Sequence, residues 1–312
     1  MERIDGERFE PACERSTTLW FDDGNLVLRT GTKQYRVHRS VLGAHSAVFR
    51  DMFSIPQPGV QDTIDGCSVV DVTDSAKDWD ALLPVMYGLD DMVDQDSGVI
   101  PFDTLRATLV LGTKYDFERY KNLALSHLSK LFPQKLSEWD ANADLRNRYD
   151  REDCALLELV LSFGSRKMLP SAYYTCISQR YMEDILEEYR QDRDRPLSFD
   201  ALHNMVLSQQ RMLDVSSNTV LKWCWDGVIP SNNCVTSITC SHRVAAAFRR
   251  LSTSLTLANG ALDPFPRSTW RLFNLCPQCE VVATQEHAKG RQLAWSELPK
   301  LFDLEDWESL GE

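Results

Sequence analysis

Residues 35–53 read YRVHRSVLGAHSAVFRDMF, and the change of period inside this stretch decides the fold. Tyr35 and Val37 alternate with Arg36 and His38, the period-two pattern of a half-buried strand. From Val41 the period turns helical: Val41, Leu42 and His45 share one face, and after a break Val48, Phe49, Met52 and Phe53 form another. Ser46 stands where a hydroxyl caps the second short helix. One strand and two short helices in so little chain make a hydrophobic anchor for an N-terminal domain.

Upstream, residues 1–18 read as a polar lead-in. The turn cluster Asp22-Asp23-Gly24-Asn25 then feeds a strand, Leu26-Val27-Leu28. Gly31-Thr32 turns the chain back into Gln34–Val37, which completes a hairpin. Downstream, Ile55–Gly66 is a loop and Val69–Val72 a third strand. Ser75 with Asp78 three residues on forms a capping box, followed by the stripe Trp79, Leu82, Leu83, Met86 and Tyr87 and a stop at Gly88. The acidic stretch Asp90–Gly98 lacks the Gly and terminal Glu of a calcium loop and reads as a solvated turn. Pro101 opens a helix carrying Phe102, Leu105, Leu109 and Tyr115, and a second runs from Phe117 to Phe132, ended by Pro133. Residues 19–132 are therefore an α+β domain.

After Pro133 the character changes. Residues 133–225 carry helical patterns and no strand, with segments at Cys154–Phe163, Ala172–Tyr189 and Phe199–Trp223. Residues 226–312 form a Cys-containing region: a turn-rich loop Asp226–Thr239, a helix Ser241–Leu255, the Pro-containing Gly260–Pro266, a helix Cys276–Trp295 and a tail Leu298–Leu310. No internal repeat stands out.

The 312 residues leave room for two domains. A formal net charge of −12 repels phosphate and argues against nucleic acid and anionic membranes as partners. Arg243, Arg249 and Arg250 cluster, but as a solvated helix face. The first residues lack the apolar core of a signal peptide, and no apolar run reaches the roughly 18 residues a membrane span needs. With nine scattered cysteines, the expectation is an intracellular, reducing setting, cytoplasmic or nuclear, in which cysteine serves burial or metal binding.

The N-terminal stretch resembles the BTB/POZ domain family. The resemblance rests on Tyr35-Arg36-Val37-His38-Arg39-Ser40-Val41-Leu42, Ser46-Ala47-Val48-Phe49 and Met52-Phe53, with the Leu26–Leu28 strand before and Leu111-Gly112-Thr113-Lys114-Tyr115 after. It covers residues 20–132. The downstream part resembles the tail of fungal proteins with this N-terminal domain, through Cys276-Pro277-Gln278-Cys279, His287, Gly290-Arg291, Trp295, Leu298-Pro299 and Phe302–Trp307. The resemblance implies a small sheet flanked by helical hairpins. It also implies a protein-interaction module that self-associates or recruits partners, among them cullin-type ubiquitin ligases or transcriptional complexes. In many dimeric animal members an Asp opening the first core strand pairs with the Arg that follows the motif's His. Those dimer-pocket positions are here Asn25 and Arg39, so the ion pair is replaced by a neutral amide that can only hydrogen-bond.

The chemically spaced residues are C-terminal. Cys276-x-x-Cys279 places two thiolates on one tetrahedral ion, and Cys240 is the preferred third ligand of a structural zinc. The fourth position is open among Cys234, His242 and His287. The plainer reading is of separate thiols buried for packing. A redox role for the pair requires a βαβ setting that the pattern does not offer. His38, near Ser40, Asp22 and Asp23, lacks a nucleophile elbow and reads as a strand-end residue that satisfies backbone groups. Tyr173-Tyr174 and Trp223-Cys224-Trp225 read as core filling, and Trp270, Trp295 and Trp307 as anchors of the tail. No nucleotide-binding or zincin motif occurs. The expected function is protein–protein interaction without catalysis. The alternatives are a nucleic-acid-associated regulator and, after it, an enzyme using the C-terminal Cys/His cluster.

Overall fold

The computed structural model describes residues 13–56, 62–149, 152–191, 197–252, 261–263 and 273–311. The chain divides into two compact units, Met1–His127 and Leu128–Glu312. The division falls just before Pro133, and both helical segments read from the sequence lie in the second unit.

The first unit is built on a five-stranded mixed sheet: β1 (Glu14–Trp20), β2 (Leu26–Arg29), β3 (Lys33–Val37), β4 (Thr63–Ile64) and β5 (Cys67–Asp71), in the order β1-β3-β2-β5-β4. β2 occupies the centre, antiparallel to β3 with Leu28 opposite Tyr35 and parallel to β5 with Leu28 opposite Val70. A central strand with both neighbours paired is buried throughout, which is why Leu26, Val27 and Leu28 form an unbroken apolar run. On β3 the alternation holds, with Tyr35 and Val37 buried between half-buried neighbours. The hydroxyl of Tyr35 donates to the carbonyl of Ala76 at 3.0 Å.

α1 (Arg39–His45) and α2 (Ala47–Ser54) follow. Ser46 separates them, and its Oγ accepts the Phe49 N–H at 3.0 Å, the cap expected from the sequence. The buried face of α2 is narrower than the pattern suggested. Phe49 is buried and Met52 and Phe53 are half-buried, but Val48 is 43% exposed. α3 (Ala76–Met86) carries its cap at Ser75, whose Oγ accepts the Asp78 N–H at 3.1 Å. Trp79, Leu82, Leu83 and Met86 are buried, and Gly88 leaves the helix at φ +66, a conformation that favours glycine. α4 (Phe102–Lys114) packs against α3, and α5 (Glu118–Leu131) spans the unit boundary. Phe49, Trp79, Tyr115 and Phe117 meet with ring centroids 4.9–6.4 Å apart and form the aromatic centre of this core. The acidic loop is the solvated turn expected: one oxygen of Asp94 accepts the backbone N–H groups of Asp96 and Ser97 at 3.0 and 2.7 Å.

Two strands of the first unit differ from the sequence reading. β4 lies inside Ile55–Gly66, read as a loop, and pairs antiparallel with β5. β1 begins at Glu14, inside the polar lead-in, and pairs in parallel with β3. Its register shifts between Arg15 and Trp20, so its buried residues Ser16 and Leu19 stand three apart and break the period-two signal.

The second unit is helical, with no strand among its described residues. It comprises α6 (Leu136–Ala141), α7 (Ala143–Arg146), α8 (Asp153–Phe163), α9 (Leu169–Gln179), α10 (Met182–Gln191), α11 (Phe199–Asn218), α12 (Ser237–Ser252) and α13 (Pro277–Leu301). The segment Ala172–Tyr189, read as continuous, is broken at Arg180–Tyr181, and the last long helix runs through Pro299 to Leu301. α8 packs on α9, and α13 packs on both α9 and α11. At the α11–α13 crossing a Cβ on Gly290 would stand 2.4 Å from the Thr219 carbonyl oxygen, so only glycine fits. Trp295 donates from Nε1 to the Gln134 carbonyl at 2.6 Å, and Trp307 to the Trp295 carbonyl at 2.8 Å, with their rings stacked. Two of the expected tail anchors are thus in place; Trp270 lies outside the described residues. Tyr173, Tyr174 and Trp223 are buried core, while Trp225 is 48% exposed. No helix among the described residues is long and apolar enough to cross a membrane.

Candidate functional site

Two helix starts converge in the second unit and carry the cysteines. Cys276 is the N-cap of α13 and Cys279 lies in its first turn; Cys240 lies in the first turn of α12, and Cys234 in the loop before it. The Sγ atoms of Cys234, Cys240, Cys276 and Cys279 all lie within 4.8 Å of one another. Cys234 and Cys276 are 3.7 Å apart, too far for a disulfide. That separation equals the edge of about 3.8 Å that four sulfurs form around a tetrahedral ion with metal–sulfur bonds of about 2.3 Å. Among the three candidates for the fourth position, the structure brings in Cys234. His242 lies exposed on α12, and His287 is buried with Nε2 3.4 Å from Asp263 Oδ1.

The surroundings suit thiolates. The Cys276 N–H donates to Cys240 Sγ at 3.4 Å, and the Ser231 N–H to Cys279 Sγ at 3.3 Å, with Ser231 Oγ 3.4 Å from the same sulfur. Thr236 Oγ1 lies 3.3 Å from Cys240 Sγ. Both helices point their N-terminal, partially positive ends at the cluster. The amide N–H groups of Cys279 and then Val235 draw the Cys276 thiol down to about 6. Burial pushes Cys240 up, but the N–H of Cys276 and the Thr236 hydroxyl outweigh it and leave Cys240 below the ordinary thiol range. Burial, followed by the neighbouring thiols, pushes Cys234 up to about 11. Four sulfurs this close cannot all ionise without a cation between them.

The cluster sits in a small core of its own, with Leu221, Trp223, Val244, Phe273 and Ala283 around it. Four sulfurs closing on one point are a donor set that would hold a metal structurally rather than present one to substrate. Sequence reasoning missed Ser231, whose contact with Cys279 spans 48 positions and leaves no local pattern.

A second cysteine group was also missed. Asp153, Cys154 and Cys176 bring their ligand atoms within 4.8 Å of one another between α8 and α9. Here a cation is already supplied by protein: Arg180 Nη1 lies 3.9 Å from Cys154 Sγ. Burial raises the Asp153 carboxyl against the pull of Arg180, and burial raises Cys176 well above the ordinary thiol range. The group is a buried, charge-compensated polar cluster.

In the first unit, Asn25 Oδ1 accepts the backbone N–H of Arg39 at 2.9 Å, while the Arg39 guanidinium lies over the Phe53 ring, 4.9 Å from its centroid. The amide thus holds the start of α1 rather than the arginine head. Tyr87 donates or accepts at His38 Nδ1, 3.1 Å away, and also accepts the His38 N–H at 2.8 Å; Asp23 lies 3.2 Å from Nε2. Oriented by a phenol and an exposed carboxylate, His38 ties the end of β3 to the residue after α3.

Residues 21–131 match the family model of the BTB/POZ domain. No curated protein and no solved structure matches the chain.

Proposed function

We propose, from the BTB/POZ domain carried at residues 21–131, that this chain is an intracellular adaptor. In this reading the domain self-associates or captures a protein partner, and the C-terminal region presents a second partner. BTB/POZ domains are protein-interaction and self-association modules, and the domain match is the single observation that carries the reading. The sheet and paired helices of the first unit support it, because they build a packed platform in which His38 serves structure rather than a nucleophile. Recruitment to a cullin-type ubiquitin ligase extends the reading by analogy with the family.

The C-terminal region, on the same reading, is clasped by one structural zinc held by Cys234, Cys240, Cys276 and Cys279. The mutual distances of the sulfurs and the N–H groups aimed at them support this choice. Four protein ligands leave no open coordination position, which favours architecture over catalysis. No observation favours the nucleic-acid alternative in a chain of net charge −12.

The test is affinity purification of the full chain from its native cell. A cullin subunit co-eluting in stoichiometric amount supports the ligase extension, and its absence removes that extension. Metal analysis of untagged protein should find one zinc per chain, and a metal-free protein removes the clasp.

A further inference from the structure

We infer that Cys234 is a peroxide-oxidisable site whose pairing with Cys276 opens the zinc clasp; the inference rests on the zinc reading above. The four sulfurs are not equivalent. Cys240 and Cys279 are fully buried in helical first turns and each is held by protein donors, Cys240 by the Cys276 N–H and Cys279 by the Ser231 N–H. Cys276 is buried at the N-cap of α13. Cys234 alone is half-exposed, in a non-helical loop between exposed Asn233 and Val235, the latter 72% exposed. A small oxidant from solvent therefore meets Cys234 first.

A resolving sulfur stands within reach: Cys276 Sγ lies 3.7 Å from that of Cys234, at the N-cap of α13. Closing that gap to a disulfide bond of about 2.05 Å is within the reach of a loop residue, whereas Cys240 and Cys279 are fixed by their helices. The chemistry balances with peroxide as the named oxidant. In the zinc-loaded chain, where the four ligating sulfurs are thiolates, that of Cys234 attacks one peroxide oxygen, the O–O bond breaks, and a sulfenic acid and hydroxide form. The Cys276 thiolate then attacks the sulfenic sulfur, the S–O bond breaks, and a second hydroxide leaves. The two sulfurs give up two electrons, the peroxide takes them, and two protons from solvent convert the hydroxides to water. Cys240 and Cys279 alone cannot complete a tetrahedral site, so the ion departs.

The experiment uses the zinc-loaded full chain. Zinc content is measured first, hydrogen peroxide is then titrated in, released zinc is followed with a chromogenic chelator, and disulfides are mapped on non-reduced peptides. The expected result is one zinc released for each Cys234–Cys276 disulfide formed, reversed by a thiol reductant with added zinc. The variant Cys234→His keeps a zinc-ligating nitrogen but no oxidisable sulfur there, and should retain its metal at the dose that half-empties the wild type. A Cys276–Cys279 disulfide, or zinc release without a Cys234–Cys276 bond, overturns the inference in the wild type alone, whatever the variant does. A chain free of zinc before oxidant is added overturns the clasp itself, a failure read at a different step.

Discussion

Replacing Ser46 with alanine should remove a large share of the stability of the N-terminal unit, because one buried hydroxyl does two tasks. Ser46 is 1% exposed; its Oγ accepts the Phe49 N–H that starts α2 and donates to the Tyr115 carbonyl after α4. Loss of an N-cap costs about 1 kcal/mol. Leaving the half-buried Tyr115 carbonyl without this donor costs about 1–3 kcal/mol more. The Ser46→Ala variant should therefore lose about 2–4 kcal/mol, against total stabilities of about 5–15 kcal/mol for domains in general. Glycine serves almost as well as serine at an N-cap, so Ser46→Gly should lose only the carbonyl's share, about 1–3 kcal/mol. Hydrogen exchange by mass spectrometry on the full chain, read from peptides covering β2 and β5, gives both values. A loss below about 0.5 kcal/mol in Ser46→Ala would mean that Ser46 performs neither task, since the cap alone exceeds it.

Gly290→Ala should destabilise the helical unit by about 2 kcal/mol: the added methyl meets backbone at Thr219, an overpacking cost of about 3 kcal/mol, less alanine's helix preference of about 1 kcal/mol, and a tryptophan-monitored denaturant midpoint unchanged from wild type would contradict this. Asp153 has a carboxyl raised by burial, so the folded state holds its proton over a window where the unfolded state has released it. The stability of the helical unit should accordingly fall as pH climbs above about 4, the unfolded aspartate value, and Asp153→Asn should flatten that fall; parallel pH profiles for the two proteins would exclude it. Cys279→Ser should lose the metal and, in hydrogen exchange, loosen the peptides around Trp223 and Phe273 while peptides of the β2–β3 hairpin keep wild-type protection; uniform loosening of both units would argue against a local clasp.

Much of this fold is written locally. The hairpin of β2 and β3, the Ser46 and Ser75 caps and the Trp79 stripe follow from period and side-chain chemistry, because each is settled by neighbours a few residues away. β1 was hidden by its irregular register, which spaced Ser16 and Leu19 three apart. The break between α9 and α10 has no Gly or Pro to announce it. There Arg180 turns back to pair with Glu188 beside Cys154, a tertiary choice invisible in a window of sequence. The last helix is longer than the Cys276–Trp295 segment read from the sequence, since α13 continues through Pro299 to Leu301. At the candidate metal centre, the Cys-x-x-Cys pair was legible because both thiols start one helix. The choice among Cys234, His242 and His287 stayed open because it depends on a loop closed over some forty residues. Packing put His287 against Asp263 instead.

On the proposed function, the N-terminal domain makes contacts between chains. Sedimentation of the untagged full chain across a concentration series, from below one to tens of micromolar (roughly the Kd range of reversible assemblies), tests it most directly. The weight-average mass should rise from monomer towards dimer over that range. A monomer mass at every concentration, from protein that also brings down no partner from its native cell, would contradict it.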